Sequence, residues 1–350
     1  MSPTPHPSKD RPFWSRLAIA FCVTHVTGVL IFFALRTLLP HWPWPLALLN
    51  NFVPFLFAPT LLTLPLALLT RSKKALLASG VVLSLFVVIY GPFFLPRLGP
   101  AAPSADGTLK VMSFNIYYNH PHPEQAIAAI EAENADIVAL QELLPFTAEL
   151  IRQRLSRRYP YMLLEPDLSS TGLLSRYPIL HSEWFQLTGV GRLTVHAVLD
   201  VNGRPVHVLA VHPPVPSFSH HRGRLLPVVP DGFSDEGTER QIAGIARRAA
   251  ALAGTVLVVG DFNATDQTHA YAQMARLLKD AFREAGWGFG FTFPHGERVG
   301  RLPVPGPLVR LDYVFHSDDL YAERAQVRCE GGSNHCYLVV ELTYISPARP

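Results

Sequence analysis

Six short polar motifs border six apolar runs in this chain. They are VMSFNI (111–116), IVALQE (137–142), VLAVHP (208–213), VLVVGDFN (256–263), RLDYVF (310–315) and SNHCYLVVEL (333–342). Each apolar run has the length and composition of a buried strand. Each polar residue falls where such a strand begins or ends and can offer its side chain to a cleft. A plain core has no use for an Asn, a Glu, two His and two Asp at those points, because buried polar groups cost free energy unless they are partnered. Hydrolysis around a divalent cation uses all of them. Carboxylates and amides are the oxygen ligands that a hard cation prefers. An Asp on one imidazole nitrogen fixes the tautomer and raises basicity, so the other nitrogen can take a proton from water. Asp261 and Asn263 lie two apart, so on extended backbone they point the same way.

The elements that must carry these residues follow from periodicity. Strands are expected over 109–114, 137–141, 172–175, 194–201, 206–211, 256–259, 311–315 and 337–344. Asn202-Gly203 is a strong hairpin turn signal between two of them. Helices are expected over 123–133, 146–159, 238–252 and 269–285, the second turning Arg152, Arg154, Arg157 and Arg158 outward. Strands of both buried and alternating type, with helices between them, predict two packed β-sheets covered by helices. The segment 213–239 has no periodicity, holds five prolines and begins at His212, which marks it as a substrate-facing loop.

The first hundred residues are of another kind. Residues 17–35, 46–70 and 75–96 are uncharged runs, each near the roughly 20 residues that cross a bilayer. Pro54, Pro59 and Pro65 make the second the weakest. Three transmembrane helices (about 17–39, 46–70 and 75–96) are therefore expected within an anchor of residues 1–96. A linker over 97–107 and a domain over 108–346 follow. Of 30 Lys/Arg and 27 Asp/Glu, the anchor holds seven and one, leaving 23 and 26 and a balance of about −3 for the remainder. That balance speaks against a general nucleic-acid binder, which carries a basic face. Lys9, Arg11 and Arg16 precede the first run, and Arg71, Lys73 and Lys74 separate the second from the third. The loop HWPWP (41–45) has no Lys or Arg. The positive-inside rule then puts the N-terminus in the cytoplasm and the domain on the extracytoplasmic side of the cytoplasmic membrane. Cys22, in the first run, reads as packing. Cys329 and Cys336 read either as a disulfide or as two small core residues, and no CxxC pairing suggests a metal site.

SFNI, LQE, GDFN, LDYVF and SNH, in this order over about 108–346, resemble the endonuclease/exonuclease/phosphatase superfamily. The three spans in front resemble its membrane-anchored, teicoplanin-resistance-type bacterial branch. The resemblance implies an α/β fold, a four-layer α/β/β/α sandwich of two mixed β-sheets, and a Mg²⁺- or Mn²⁺-dependent phosphoric ester hydrolase. Residue by residue, it implies that Glu142 is the principal metal carboxylate, with Asn115 beside the metal and the phosphate. Asp261 and Asn263 would orient the attacking water and hold the phosphate, Asp312 and His335 would form an Asp–His pair, either His335 or Asp261 would deprotonate the water, and His212 would contact the phosphate. Ser175-Arg176 matches a recurrent segment near the cleft, read as architectural. Arg240 or Gln241 could reach phosphate, although a solvated helix face is the better reading of Arg240. One departure stands out: Asn334 occupies a position that is usually Asp and supports the metal. It keeps an oxygen donor but removes one negative charge, which puts a second metal in doubt.

The expected substrate is a membrane-borne phosphate, either a lipid phosphodiester or a polyprenyl pyrophosphate, attacked in line by water. The alternatives are a surface endonuclease or exonuclease on DNA or RNA, and a membrane-tethered binding module without catalysis. No protein partner can be inferred. The orientation has a direct check: a tag at Pro350 should be cut by protease added to intact cells, and full protection of that tag would place the domain inside.

Overall fold

The chain divides into two compact units of different character, Met1–Pro92 and Phe93–Pro350, in a computed structural model. The structure describes residues 12–345 except 96–107, 120, 166–169, 188–191 and 220–229. The expected linker, Lys9, Arg11 and much of the 213–239 loop lie outside the described residues.

The first unit is helical: α1 (Phe13–Leu38), α2 (Trp44–Asn50), α3 (Thr60–Thr70) and α4 (Lys73–Tyr90). Three stretches, Phe13–Leu38, Val53–Thr70 and Lys73–Phe94, are long and apolar enough to cross a membrane. The expected unbroken run over 46–70 is instead α2, a 3₁₀ turn (Val53–Phe57) and α3. Pro54 and Pro59 explain the interruption, since each lacks an amide donor and its ring crowds the preceding turn. Pro65 is tolerated inside α3. The helices meet through small side chains, with Cys22, Ala67, Ala75 and Ala78 buried together. The Cys22 thiol donates to the Thr63 carbonyl at 3.4 Å, which fits its reading as packing. Leu61, Leu69, Leu77 and Val88 stand exposed on the outer surface of these helices.

The second unit begins with β1 (Thr108–Asn115), α5 (Pro123–Glu133), β2 (Ile137–Gln141), α6 (Pro145–Leu155), β3 (Tyr161–Leu164) and β4 (Gly172–Ser175). Next come β5 (Ile179–Phe185), β6 (Thr194–Val201), β7 (Arg204–Val211), β8 (Ser217–Ser219), β9 (Gly232–Ser234), α7 (Glu236–Ala250) and β10 (Thr255–Asp261). It ends with α8 (His269–Ala275), β11 (Lys279–Asp280), α9 (Ala281–Ala285), β12 (Arg298–Val299), β13 (Leu302–Pro303), β14 (Asp312–His316), β15 (Leu320–Arg328) and β16 (Tyr337–Tyr344). Two six-stranded mixed sheets form, in the orders β15-β16-β1-β2-β4-β3 and β11-β14-β10-β7-β6-β5. Their facing sides interdigitate through Val111, Ile137, Ala139, Val208, Leu257, Val259, Val314 and Leu338, among others. The outer side of the first sheet packs on α5 and α6 through Ile127, Ile130 and Ile151. That of the second packs on α7 and α8 through Ile242, Ile245 and Met274. The result is the expected four-layer α/β/β/α sandwich.

Register decides which residues share an end. Parallel pairing of β1 with β2 sets Asn115 beside Gln141. Parallel pairing of β10 with β7 sets Gly260 beside Val211, and antiparallel pairing with β14 sets Asp261 beside Asp312. The ends of β1, β2, β7 and β10 and the starts of β14 and β16 thus hold all the polar motifs. The hairpin at Asn202-Gly203 forms with positive φ at both residues, 55° and 85°, as a type I′ turn requires.

Three expectations are corrected. The helix over 269–285 is divided into α8 and α9, because the Asp280 carboxylate caps the amides of Phe282 and Arg283 and starts a new helix. The aperiodic segment after His212 contains the small β8–β9 pair, with Phe218 and Phe233 edge to face. Ser175-Arg176 is architectural but not near the cleft. Ser175 pairs with Ile137, at the far end of β2, and Arg176 binds Asp136 at 2.9 Å.

Gly260 shows how tightly the site strands are held. A Cβ there would lie 2.0 Å from the Val211 carbonyl oxygen. Gly260→Ala is expected to cost about 1–3 kcal/mol of stability, as for other overpacked sites. Denaturant unfolding measures this, and an unchanged midpoint would show that β7 and β10 can separate freely.

Candidate active site

Backbone geometry places the motif side chains before their chemistry is considered. Asn115 and Asp261 are the last residues of β1 and β10, Glu142 and His212 are the first residues beyond β2 and β7, and Asp312 opens β14. Glu142 and Asn263 have left-handed backbones, with φ of 59° and 50°. Non-glycine residues adopt this region at a cost, and these two stand just past the ends of β2 and β10. Asn263 is held in that turn because its amide nitrogen donates to Asp261 Oδ1 at 2.9 Å.

Seven expected site residues come together. Asn115 Nδ2 donates to Glu142 Oε1 at 3.2 Å and to Asp261 Oδ2 at 3.0 Å, while its Oδ1 accepts from the Tyr117 amide. Glu142 Oε2 also accepts from the Tyr118 amide. His212 Nε2 lies 3.5 Å from Asp261 Oδ2 and 4.0 Å from Glu142 Oε1. His335 Nδ1 donates to Asp312 Oδ2 at 2.9 Å, and its Nε2 lies 3.8 Å from Asp261 Oδ2. Phe293 covers the His335 ring at 4.7 Å between centroids. Asn263 Nδ2 is directed to the Pro213 carbonyl, so this amide also anchors the loop behind His212. The eighth residue, Asn334, directs its Nδ2 to Glu297 Oε1 at 3.1 Å.

Sequence reasoning missed three participants. Arg192 Nη1 lies against the His212 ring, 2.5 Å from Nε2 and 2.9 Å from Nδ1, and brings a cation to the site from the loop between β5 and β6, where no motif marks it. Ser333 Oγ donates to the Asn115 carbonyl at 2.6 Å and ties the His335 loop to β1, a role that its place in SNH could have suggested. Glu297 belongs to no apolar run. Gln241, considered for phosphate contact, instead donates to the Arg192 carbonyl, and Arg240 lies exposed against Glu236. Cys329 and Cys336 form a disulfide around 333–335.

The family model for the endonuclease/exonuclease/phosphatase family matches residues 112–335, more than half of the chain. The chain belongs to the endonuclease/exonuclease/phosphatase family. Its members are metal-dependent phosphoesterases and nucleases that act on phosphorylated substrates. Solved structures agree on the fold. A family protein from Bacteroides vulgatus is 19% identical with a TM-score of 0.53, over 68% of this chain and 99% of that one. One from Beutenbergia cavernae is 19% identical with a TM-score of 0.51, over 68% and 72%. TDP2 from D. rerio, complexed with a single-strand DNA product, is 13% identical with a TM-score of 0.51, over 67% and 99%. No curated protein matches the sequence.

The donor set fits the divalent cation that the family requires. Glu142, Asp261 and Asp312 gather oxygen ligands at one strand end, and ligand atoms of Asp261, Asp312 and His335 lie within 4.8 Å of one another. Asp312 Oδ1 and Asn334 Oδ1 are buried without a hydrogen-bond partner, as acceptors awaiting a cation or a donor would be. A second His/Cys group, His295 with Cys329 and Cys336, has its two sulfurs spent on the disulfide.

Burial alone would raise the Asp261 carboxyl and lower the His335 imidazole. The charges they exchange reverse both. His335 and His212, together with the Asn263 amide, hold Asp261 well below the usual carboxylate range. Asp312 and Asp261 push His335 up to about 9. His335 is therefore a strong base whose protonated form is stabilised by folding. That stabilisation is fully present below pH 6.5, the ordinary value, and is lost as pH rises through about 9. In EDTA, the stability advantage of the wild type over His335→Gln should shrink between pH 6.5 and 9.5 when thermal unfolding is followed. A flat difference would show that no proton is held there.

Proposed function

We propose that this chain is a Mg²⁺- or Mn²⁺-dependent phosphoesterase, carried on a multi-pass anchor in the cytoplasmic membrane with its catalytic domain on the extracytoplasmic side. Its proposed substrate is a membrane-borne phosphate, a lipid phosphodiester or a polyprenyl pyrophosphate. The observation that carries the catalytic part is the Asn115 amide bridging Glu142 and Asp261, beside the Asp312–His335 pair. An unpaired structural role for so many buried polar groups has no physical motive.

Glu142 would hold the cation, with Asn334 Oδ1 as a second oxygen and Asn115 Nδ2 steadying the Glu142 carboxylate. When bound, the ion supplies positive charge to the oxygens of the phosphate as the transition state forms. The chain's own residues do the rest. Asp261, ionised at neutral pH, orients a water. In its unprotonated form His335 takes the proton of that water at Nε2, and Asp312 on Nδ1 stabilises the imidazolium that results. The His212–Arg192 pair and the second Asn263 N–H donate to non-bridging oxygens, where charge develops. Water attacks directly, so no covalent enzyme intermediate arises.

The membrane-borne substrate is supported by the three apolar helices and by the acidic balance of the catalytic unit. A surface nuclease is the second reading, favoured only by the likeness in fold to a protein crystallised with a DNA product. Purified full-length protein in detergent should be offered a polyprenyl pyrophosphate, a sphingomyelin-type lipid and plasmid DNA, each with Mg²⁺, Mn²⁺ or EDTA. We expect lipid turnover that requires metal and falls by about 10²–10⁴ in His335→Ala, the usual worth of a general base, with a comparable loss in Glu142→Ala. Turnover of DNA alone would select the nuclease. No turnover by folded protein would leave the binding module.

A further inference from the structure

Asn334 is a neutral side chain in the loop beside His335, and the structure contains a carboxylate in contact with it. Glu297 Oε1 accepts a hydrogen bond from Asn334 Nδ2 at 3.1 Å. The segment bearing Glu297 is fastened to the same loop by its backbone. The His295 amide donates to the Asn334 carbonyl and the Cys336 amide to the Thr292 carbonyl, both at 2.8 Å. The Val304 amide donates to the Glu297 carbonyl at 2.9 Å and closes the β12–β13 hairpin around it. The contact is thus held at both ends.

Chemistry fixes the direction of this bond. An ionised carboxylate only accepts, so it must be met by the NH₂ group of Asn334 and never by its oxygen. Asn334 Oδ1 is thereby turned away from Glu297, and it lies buried with no partner among the described residues. A buried acceptor left unsatisfied is destabilising unless something binds it. The residues on either side of it belong to the site: Ser333 Oγ holds the Asn115 carbonyl, and His335 pairs with Asp312.

We infer that Glu297 is a positioning residue of the cation site. It orients the Asn334 amide so that Oδ1 is a neutral ligand, and it places the negative charge of this contact one side chain farther out. This rests on the metal-dependent reading above. The arrangement lowers the charge facing an incoming phosphate while retaining an oxygen for the cation.

The test is Mn²⁺ binding by full-length protein in detergent, read as loss of the free-ion paramagnetic resonance signal, together with thermal unfolding in EDTA. Glu142→Ala serves as the site control. Glu297→Ala should weaken Mn²⁺ binding by about 10–100-fold, the range for outer-sphere partners of metal ligands, and leave the EDTA melting temperature near that of the wild type. Glu297→Gln, which can still accept from Asn334, should stay much closer to the wild type. Asn334→Asp alone sets two carboxylates against each other, so it should melt earlier in EDTA and recover with Mn²⁺. The double variant Asn334→Asp/Glu297→Gln removes that repulsion and should bind Mn²⁺ more tightly than the wild type. Wild-type Mn²⁺ affinity in Glu297→Ala would overturn the inference and leave Glu297 as a loop staple, as would an Asn334→Asp protein as stable in EDTA as the wild type. If Glu142→Ala also bound Mn²⁺ normally, the metal-site reading itself would fail. Weak binding by Glu142→Ala alone would sink only the role of Glu297.

Discussion

The site depends on two sheets being packed in one relation. Asn115, Glu142 and the 333–335 loop come from the first sheet; His212, Asp261, Asn263 and Asp312 come from the second. Two buried hydrogen bonds cross between them, Asn115 to Asp261 at 3.0 Å and His335 to Asp312 at 2.9 Å. Their lengths are set by the apolar layer beneath, since facing sheets settle about 10 Å apart when their side chains interdigitate. A one-residue slip in any site strand would invert its faces and remove its polar terminus from the cleft. Catalytic geometry is therefore a consequence of core packing. Breaking either crossing leaves a buried charge without its partner, which costs far more than the bond itself is worth.

The loops are made rigid from behind. Below Asp261 the chain turns through a buried group of charges: Arg310 binds Asp280 at 2.6 Å and also Asp266, which Arg283 meets from the other side. Tyr313 Oη donates toward the Ala264 and Arg310 carbonyls. Burial would discourage the Arg310 charge, but Asp280 and Asp266 more than reverse that. Such a base lets Asn263 keep its left-handed backbone, a conformation worth about 1–3 kcal/mol of strain elsewhere. On the first sheet the disulfide between Cys329 and Cys336 closes the loop that carries His335 and Asn334.

The sequence made the strand termini readable because buried strands are short apolar runs and their polar ends break the pattern sharply. The strands at 137–141, 172–175, 194–201 and 337–344 were located to the residue. Half-exposed strands were not found. In β15 the apolar residues alternate with Glu323, Arg324, Gln326 and Arg328, and a bulge between Ala322 and Arg324 shifts the period. Helix ends followed local chemistry that hydropathy does not record, such as the Asp280 cap. The site residues at strand ends were legible for the same reason as the strands. Arg192 and Glu297 were not, because each reaches the site from a loop and is placed only by long-range packing.

The charge of the site explains why a cation and an apolar anchor belong to the same reading. Three carboxylates converge on a cleft whose nearby positive groups are His335 and Arg192. The domain around it is acidic by composition, so its long-range field does not draw an anionic substrate from solution. A nuclease of this fold would need a basic groove to offset that repulsion. A lipid phosphate does not have to be attracted. Its apolar tail confines it to the bilayer that the three helices would share, and confinement raises its local concentration whatever the sign of the field. Attraction is then needed only over the last few ångströms, where a bound cation and the His212–Arg192 pair act on the phosphate directly. A neutral Asn334 fits this economy of charge: every carboxylate removed from the innermost ring lessens the repulsion that an arriving phosphate must overcome.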